Sequence, residues 1–309
     1  MSKVLVTGGC GFIGSHIVEK LLDMKYEVIV VDNLKTGKIE NIDENKVEFY
    51  NCDIRSEVFE RIVSKTKPEF IIHQAAQVSV TASIKNIVYD TDVNIMGSIN
   101  VINVAKNNGV KKIVFASSAA VYGEPQYLPI DEIHPIIPLS PYGLSKYTIE
   151  NYLKLAKECY GIDYTILRYS NVYGPRQDTK GEGGVVAIFT EQLAKNEECS
   201  IYGDGMQTRD FVFVKDVADA NVKALENGDN STLNISTSQR ISINDLYSLI
   251  KEQHCRSISP SYIDGRLGDI KHSILSNKQA RSELSWDVSY TLDQGIKETV
   301  NYYNELVLV

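Results

Sequence analysis

Short runs of apolar, largely β-branched residues alternate along the first half of the chain with stretches whose apolar positions recur every three or four residues. Val4 to Thr7, Glu27 to Asp32, Val47 to Tyr50, Glu69 to His73, Lys111 to Ser117 and Tyr164 to Tyr169 are predicted strands. Phe12 to Met24, Asp92 to Asn107 and Tyr142 to Tyr160 are predicted helices, and Gly109 supplies a stop for the second. Strands alternating with helices predict an α/β fold, a doubly wound parallel sheet covered on both faces. After about Asn171 the rhythm loosens into Gly-rich and polar stretches, with shorter elements over Val185 to Lys195, Ser242 to Glu252 and Asn277 to Leu284. Residues 1–171 are expected to form a nucleotide-binding half, and residues 172–309 a smaller substrate half, part of which returns to the first. Ligands of such sheets bind beyond the carboxyl ends of the strands, where strand order reverses.

That place in the sequence is occupied by Thr7-Gly8-Gly9-Cys10-Gly11-Phe12-Ile13-Gly14, between the first strand and the first helix. Gly8, Gly11 and Gly14 permit a tight turn, close approach of a pyrophosphate to backbone N–H groups, and close helix packing. Asp32 ends the second strand, where a carboxylate accepts hydrogen bonds from an adenosine ribose. The glycines, their strand and helix and the acid together predict a Rossmann dinucleotide site. An acid at Asp32 disfavours a 2′-phosphate, so NAD is expected rather than NADP, with Lys35 and Lys38 as nearby cations that argue the other way. Asp53, after the third strand, is placed either to reach the adenine edge or to cap a helix.

Ser140-Pro141-Tyr142-Gly143-Leu144-Ser145-Lys146 opens a helix, with Ser140 as its cap and Pro141 at its first position. Tyr142 and Lys146 then share one face. A phenol is a poor base at neutral pH, and a neighbouring ammonium and a positive nicotinamide ring both favour its phenolate. Ser118, at the end of the fifth strand, is placed to hydrogen-bond the same substrate oxygen. A Tyr and a Lys four residues apart recur by chance in many proteins; the glycine loop and the strand-end serines give this pair its meaning.

Composition narrows the partners. The 309 residues carry 43% hydrophobic positions and a net charge of -8, which argues against nucleic acid or an anionic membrane as the main partner. Cys10, Cys52, Cys159, Cys199 and Cys255 show no zinc or disulfide spacing. His73, His134 and His272 have no metal-ligand spacing either, so no metal is expected and none of these histidines is assigned a role. The sequence shows neither a secretory leader nor a membrane-spanning run, which makes the cytoplasm the expected location. Asn230-Ser231-Thr232, a glycosylation pattern, is read as a plain loop.

These motifs, with Leu167-Arg168-Tyr169-Ser170-Asn171-Val172-Tyr173-Gly174-Pro175-Arg176 and Arg209-Asp210-Phe211, resemble the extended short-chain dehydrogenase/reductase family, closest to its UDP-glucose 4-epimerases, over essentially the whole chain. The resemblance implies a tightly held NAD, hydride removal from and return to sugar C4, and a 4-keto sugar that swings about its diphosphate. It assigns catalysis to Ser118, Tyr142 and Lys146. It places NAD against Gly8, Gly11, Phe12, Ile13, Gly14, Asp32, Asn33, Asp53, Ile54, Ala75, Asn94, Ser117, Tyr142, Lys146 and Tyr169. It places the UDP-sugar against Ser118, Tyr142, Asn171, Tyr202, Arg209, Arg266, Asp269 and Ser273.

Ala119 and Ala120 stand where related 4,6-dehydratases carry an acidic pair and decarboxylases a glutamate, which disfavours both reactions. A UDP-uronate 4-epimerase is the chemically nearest alternative. A regulatory NAD-binding protein, the non-enzyme alternative, is expected to have lost Tyr142 or Lys146. Ser273 falls where the family gates the sugar's 2-substituent; its small side chain predicts that N-acetylated sugars enter, unless Ser273 merely packs or caps. The family commonly pairs two helices per subunit, here Asp92 to Asn107 and Tyr142 to Tyr160, into a homodimer.

Overall fold

Val4 and Val6 point to one side of the first strand and Leu5 to the other, and all three are fully buried. A strand without a polar face belongs in the middle of a covered parallel sheet. The computed structural model, which describes residues 2–179, 184–254, 258–265 and 270–308, puts it there.

The chain runs β1 (Lys3–Thr7), α1 (Phe12–Asp23), β2 (Glu27–Asp32), β3 (Glu48–Asn51), α2 (Glu57–Thr66) and β4 (Phe70–His73). Two short helices follow, α3 (Val80–Lys85) and α4 (Ile87–Asp90), then a π-helical turn over Thr91–Met96 that leads into α5 (Gly97–Asn108). Next come β5 (Lys112–Ser118), α6 (Pro141–Tyr160), β6 (Asp163–Tyr169) and β7 (Asn171–Tyr173). The last part holds α7 (Val185–Ala194), β8 (Ser200–Tyr202), β9 (Thr208–Arg209), β10 (Phe211–Phe213), α8 (Val214–Lys223), β11 (Ser231–Ile235), β12 (Ile241–Ser242), α9 (Ile243–Gln253), β13 (Ser261–Ile263), α10 (Lys278–Glu283) and α11 (Leu292–Leu308).

Seven parallel strands form the main sheet in the order β11-β6-β5-β4-β1-β2-β3. Strand order reverses between β1 and β4, which creates the crevice expected of the fold. On one face Val4, Val6, Val30 and Val114 pack with Ile17 and Leu21 of α1 and Val217 of α8. On the other, Leu5, Ile71 and Phe115 pack with Phe59 of α2, Val101 of α5 and Ile149 of α6. A third cluster around Phe189, Phe213, Leu246 and Ile296 lies within the C-terminal part.

The six predicted strands and the helices expected over Phe12 to Met24 and Tyr142 to Tyr160 form within a residue or two of the expected limits, and Gly109 ends α5 in the left-handed conformation. The helix expected to begin at Asp92 starts instead as a π-helical turn. The segment read as a glycosylation-type loop is different again: Asn230 is a turn residue at φ 60°, and Ser231 and Thr232 begin edge strand β11, which pairs with β6. Beneath the sheet's carboxyl edge, Arg168 of β6 and Glu150 of α6 form a buried pair through Nε at 2.9 Å and Nη2 at 2.6 Å. Tyr122 and Ser117 complete it: Arg168 Nη1 donates to the Tyr122 hydroxyl at 2.9 Å, and the Ser117 hydroxyl donates to Glu150 at 2.6 Å. Removing one partner of such a pair costs roughly 3–5 kcal/mol, so α6 is tied firmly to the two strands it serves.

Candidate active site

Four strand ends align at the crevice. Thr7 of β1 pairs with His73 of β4, and Ser118 of β5 with Tyr169 of β6. The His73 ring ties the first pair to α5. Ser98 Oγ donates to the Asn94 carbonyl at 2.6 Å, so toward His73 it accepts, and the proton sits on Nε2 at 2.8 Å. Nδ1 then accepts from the Thr7 hydroxyl at 2.7 Å, while Thr7 Oγ1 accepts from Ala75 N at 3.2 Å. Burial, helped by the charge of Lys146, pulls His73 down to about 3, so the ring is a neutral bracket. Among the described residues no His, Cys, Asp or Glu cluster could hold a metal ion.

Gly11 begins α1 without a side-chain cap, and no acid lies in the first turn. The positive end of the helix is therefore open to an anion. A Cβ on Gly14 would run into the carbonyl oxygen of Gly8, so the loop closes onto the helix at a distance that only glycine allows. Phe12 and Ile13, in the first turn of α1, are half-buried.

Across the loop, Asp32 Oδ2 accepts from Cys10 N at 3.0 Å and Oδ1 from Leu34 N at 2.8 Å, and burial raises its pKa. Asn33 donates to Asp53 at 2.9 Å, and Arg55 grips the same carboxylate through Nε at 2.9 Å and Nη2 at 2.7 Å, which holds Asp53 far below the usual range. The helix that follows, α2, begins at Ser56 instead. Lys35 lies over the Tyr89 ring, 4.0 Å from its centre. Ile54 is packed under α5 and its carbonyl accepts from Asn100. An open helix end with a facing carboxylate fits the pyrophosphate and ribose of a dinucleotide, and with Lys35 engaged by Tyr89 it fits the form without a 2′-phosphate.

Ser140 caps α6 by accepting from Gly143 N at 3.1 Å, and Pro141 occupies the first turn. A Cβ on Gly143 would stand 2.5 Å from the Ala120 carbonyl oxygen. Its absence lets the start of α6 press against the turn after β5, which sets Tyr142 close to Ser118. One turn on, Lys146 Nζ donates to the Ala116 carbonyl at 2.8 Å and lies 5.0 Å from the centre of the Phe115 ring and 5.9 Å from that of Tyr142.

Burial governs both groups. It pushes the Tyr142 phenol up to about 12, against the pull of Ser118 and with a further push from Asp90. It brings Lys146 down to about 8, with Asp90 opposing. At Tyr142 desolvation of the phenol is the largest effect, and the Lys146 ammonium is bonded to the Ala116 carbonyl.

The remaining expected cofactor residues divide by what their side chains touch. The Ser117 hydroxyl is committed to Glu150, on the side of β5 away from Ser118, so its side chain is not at the crevice. Asn94 is buried and holds the loop after β4 to α6: Oδ1 accepts from Gln77 N at 2.8 Å, and Nδ2 donates to Gln77 O at 2.9 Å, Asp90 Oδ1 at 3.0 Å and Ser145 Oγ at 3.2 Å. The Tyr169 hydroxyl accepts from Gln74 at 3.0 Å and from Asn221 Nδ2 at 2.8 Å.

On the substrate side, Asn171 N donates to Asp210 O at 3.0 Å, beside Arg209. Ser273 N donates to Thr208 O at 3.1 Å, and Arg209 Nη1 reaches the same carbonyl at 2.9 Å, so the structure brings Arg209 and Ser273 together. Tyr202 is half-exposed on β8. Arg266 and Asp269 lie outside the described residues. Sequence reasoning missed Asp210, which gathers Thr237 N at 2.9 Å, Ser238 N at 3.1 Å and Leu275 N at 3.3 Å and is pushed up to about 6 by burial. It also missed Asp90, although Asp90 and Asn94 stand four residues apart, the spacing of helical neighbours.

The model of the NAD dependent epimerase/dehydratase family matches residues 4–236. A putative UDP-glucose 4-epimerase of Methanocaldococcus jannaschii is 51% identical over 97% of both chains. The solved UDP-glucose 4-epimerase of Thermotoga maritima with UDP-glucose superposes with a TM-score of 0.96 at 45% identity over 99% of both chains. A UDP-N-acetylglucosamine 4-epimerase of Methanobrevibacter ruminantium, solved with UDP-N-acetylmuramic acid, gives 0.95 at 36% identity, again over 99% of both.

Gly143→Ala tests the close approach that sets Tyr142 against Ser118. The added methyl should cost about 1–3 kcal/mol of stability. By displacing the phenol it should lower turnover about 100-fold. Thermal melting and steady-state rates measure both, and an alanine variant with full turnover would show that α6 need not press on Ala120.

Proposed function

Because this chain belongs to the NAD-dependent epimerase/dehydratase family, we propose that it interconverts UDP-glucose and UDP-galactose by inverting C4 of the sugar with NAD as cofactor. The observation that carries the reading is the Ser118, Tyr142 and Lys146 cluster at the crevice, with Ala119 and Ala120 following Ser118 directly in the turn after β5. Elimination or decarboxylation needs a further acid or base in that strip, and neither alanine provides one. Bound NAD, held by the open end of α1 and by Asp32, supplies the hydride acceptor and donor and, when oxidised, a positive ring.

The protein's own groups handle the proton and the geometry. Tyr142 takes the C4 hydroxyl proton as the sugar becomes a ketone and returns it to the same oxygen after the sugar has turned its other face. Ser118 holds that oxygen in reach. A phenol near 12 gives up its proton at neutral pH only with positive charge close by, which Lys146 and the oxidised nicotinamide ring would supply together. Asn171, Arg209, Arg266, Asp269 and Tyr202 anchor the nucleotide while the sugar turns, and an arginine is suited to a diphosphate on an acidic protein.

The small Ser273 beside Arg209 favours a second activity, epimerisation of UDP-N-acetylglucosamine and UDP-N-acetylgalactosamine, and the methanogen structure of that activity shares the whole fold. The pairing of two chains through the π-turn and α5 together with α6 is supported by the exposure of Met96, Leu144, Tyr152 and Leu155 on those elements. The free thiols Cys10, Cys52, Cys159 and Cys199 suit the reducing cytoplasm, and no helix among the described residues is long and apolar enough to cross a membrane.

Purified protein incubated without added NAD should convert both UDP-galactose and UDP-N-acetylgalactosamine, followed by NMR of the C4 proton. Conversion of neither, with UDP-galacturonate turned over instead, would move the reading to a uronate epimerase. Ser273→Tyr should remove the N-acetyl activity by at least tenfold and spare the other; equal loss of both would refute the gate. Leu155→Glu should shift the mass in light scattering from dimer to monomer, and an unchanged mass would place the contact elsewhere.

A further inference from the structure

Asp90 ends α4 with its side chain almost wholly buried. Oδ1 accepts from Gln77 Nε2 at 2.9 Å and from Asn94 Nδ2 at 3.0 Å. Oδ2 is enclosed by protein and has no hydrogen-bond partner. A carboxylate oxygen left in that state is expensive unless a nearby charge compensates it. The Asn94 amide that binds Asp90 also reaches Ser145 Oγ at 3.2 Å, and Ser145 Oγ donates to the Tyr142 carbonyl at 2.9 Å. The carboxylate is thus linked through two side chains to the turn of α6 that carries Tyr142 and Lys146.

We propose that Asp90 is a positioning residue of the catalytic pair, fixing the first turn of α6 through Asn94 and Ser145 and serving as the buried counter-charge of the Lys146 ammonium. The inference rests on the epimerase reading of the site. The charged and titratable groups facing the pair come from every element packed on it: His73 from β4, which stays neutral; Ser118 and the Ala116 carbonyl from β5; Tyr169 from β6, whose phenol burial raises and Tyr142 raises further; and Asp90 from α4. Among them Asp90 is the one carboxylate. Its negative charge raises the pKa of both members, favouring the ammonium of Lys146 and opposing the phenolate of Tyr142. It therefore moves both titrations in the same direction and sets where on the pH scale the pair works.

The sign of the effect gives the test. Turnover needs Tyr142 able to lose a proton, which fails on the acid side, and Lys146 as an ammonium, which fails as pH rises through its folded pKa, about 8. Removing the Asp90 charge lowers both pKa values, so both limbs of the kcat profile of the NAD-bound enzyme should move to lower pH in Asp90→Asn, by about half to one pH unit. Asp90→Glu should restore the wild-type limbs. Ser145→Ala, which breaks the link but keeps the charge, should lower kcat without moving them.

If the Asn variant does not fold, Asp90→Ser removes the same charge without a buried amide and carries the same expectation. An Asp90→Asn enzyme of reduced turnover but unshifted limbs would reduce Asp90 to a structural residue and overturn the proposal. Should the wild type epimerise none of the UDP-sugars, the functional reading fails separately. The counter-charge is then read from tyrosine 13Cζ NMR with NAD bound, where the signal missing in Tyr142→Phe should titrate at lower pH in Asp90→Asn than in wild type, and identical titrations would overturn it.

Discussion

The site depends on backbones approaching more closely than any side chain would permit. At Gly14 the first helix closes onto the carbonyl of Gly8, and at Gly143 the catalytic helix closes onto the carbonyl of Ala120. The first contact brings an uncapped helix end to the crevice between β1 and β4; the second brings a tyrosine to a serine at the end of β5. Neither approach would hold on a loose frame. The frame is the parallel sheet with a buried apolar layer on each face, and the Arg168 and Glu150 pair that fastens α6 to it.

Placing reactive groups in such a frame sets their chemistry against them. Burial favours the neutral phenol of Tyr142, at about 12, and the neutral amine of Lys146, at about 8, whereas the proposed reaction needs the charged form of each. Ser118 counters that tendency at Tyr142, and the Ala116 carbonyl and the Asp90 carboxylate counter it at Lys146. The neutral His73 bracket adds rigidity without a competing charge. What the pair can do at neutral pH is therefore a property of its surroundings as much as of the two side chains.

Much of this was legible in the sequence. The strands of the sheet declare themselves because they are apolar on both faces, and the start of α6 because Ser140 and Pro141 form a cap with a known geometry. The glycine loop and Asp32 carry the proposed nucleotide site in their spacing. What was hidden depends on three-dimensional partners. β11 is an edge strand whose polar Ser231 and Thr232 read as a loop until β6 is seen beside them. Ser117 and Ser118 look equivalent in sequence, and only the alternation of the strand sends one to Glu150 and turns the other toward the start of α6. Asp90 was invisible because the π-helical turn begins after it, and its significance comes from an enclosed oxygen that no sequence pattern records.

In the proposed reaction hydrogen leaves C4 as hydride and comes back to the same carbon, while Tyr142 handles only the proton on oxygen. UDP-galactose deuterated at C4, converted in ordinary water without added NAD, tests it directly. The account predicts that the UDP-glucose formed keeps its deuterium at C4, and replacement of that label by solvent hydrogen would contradict it.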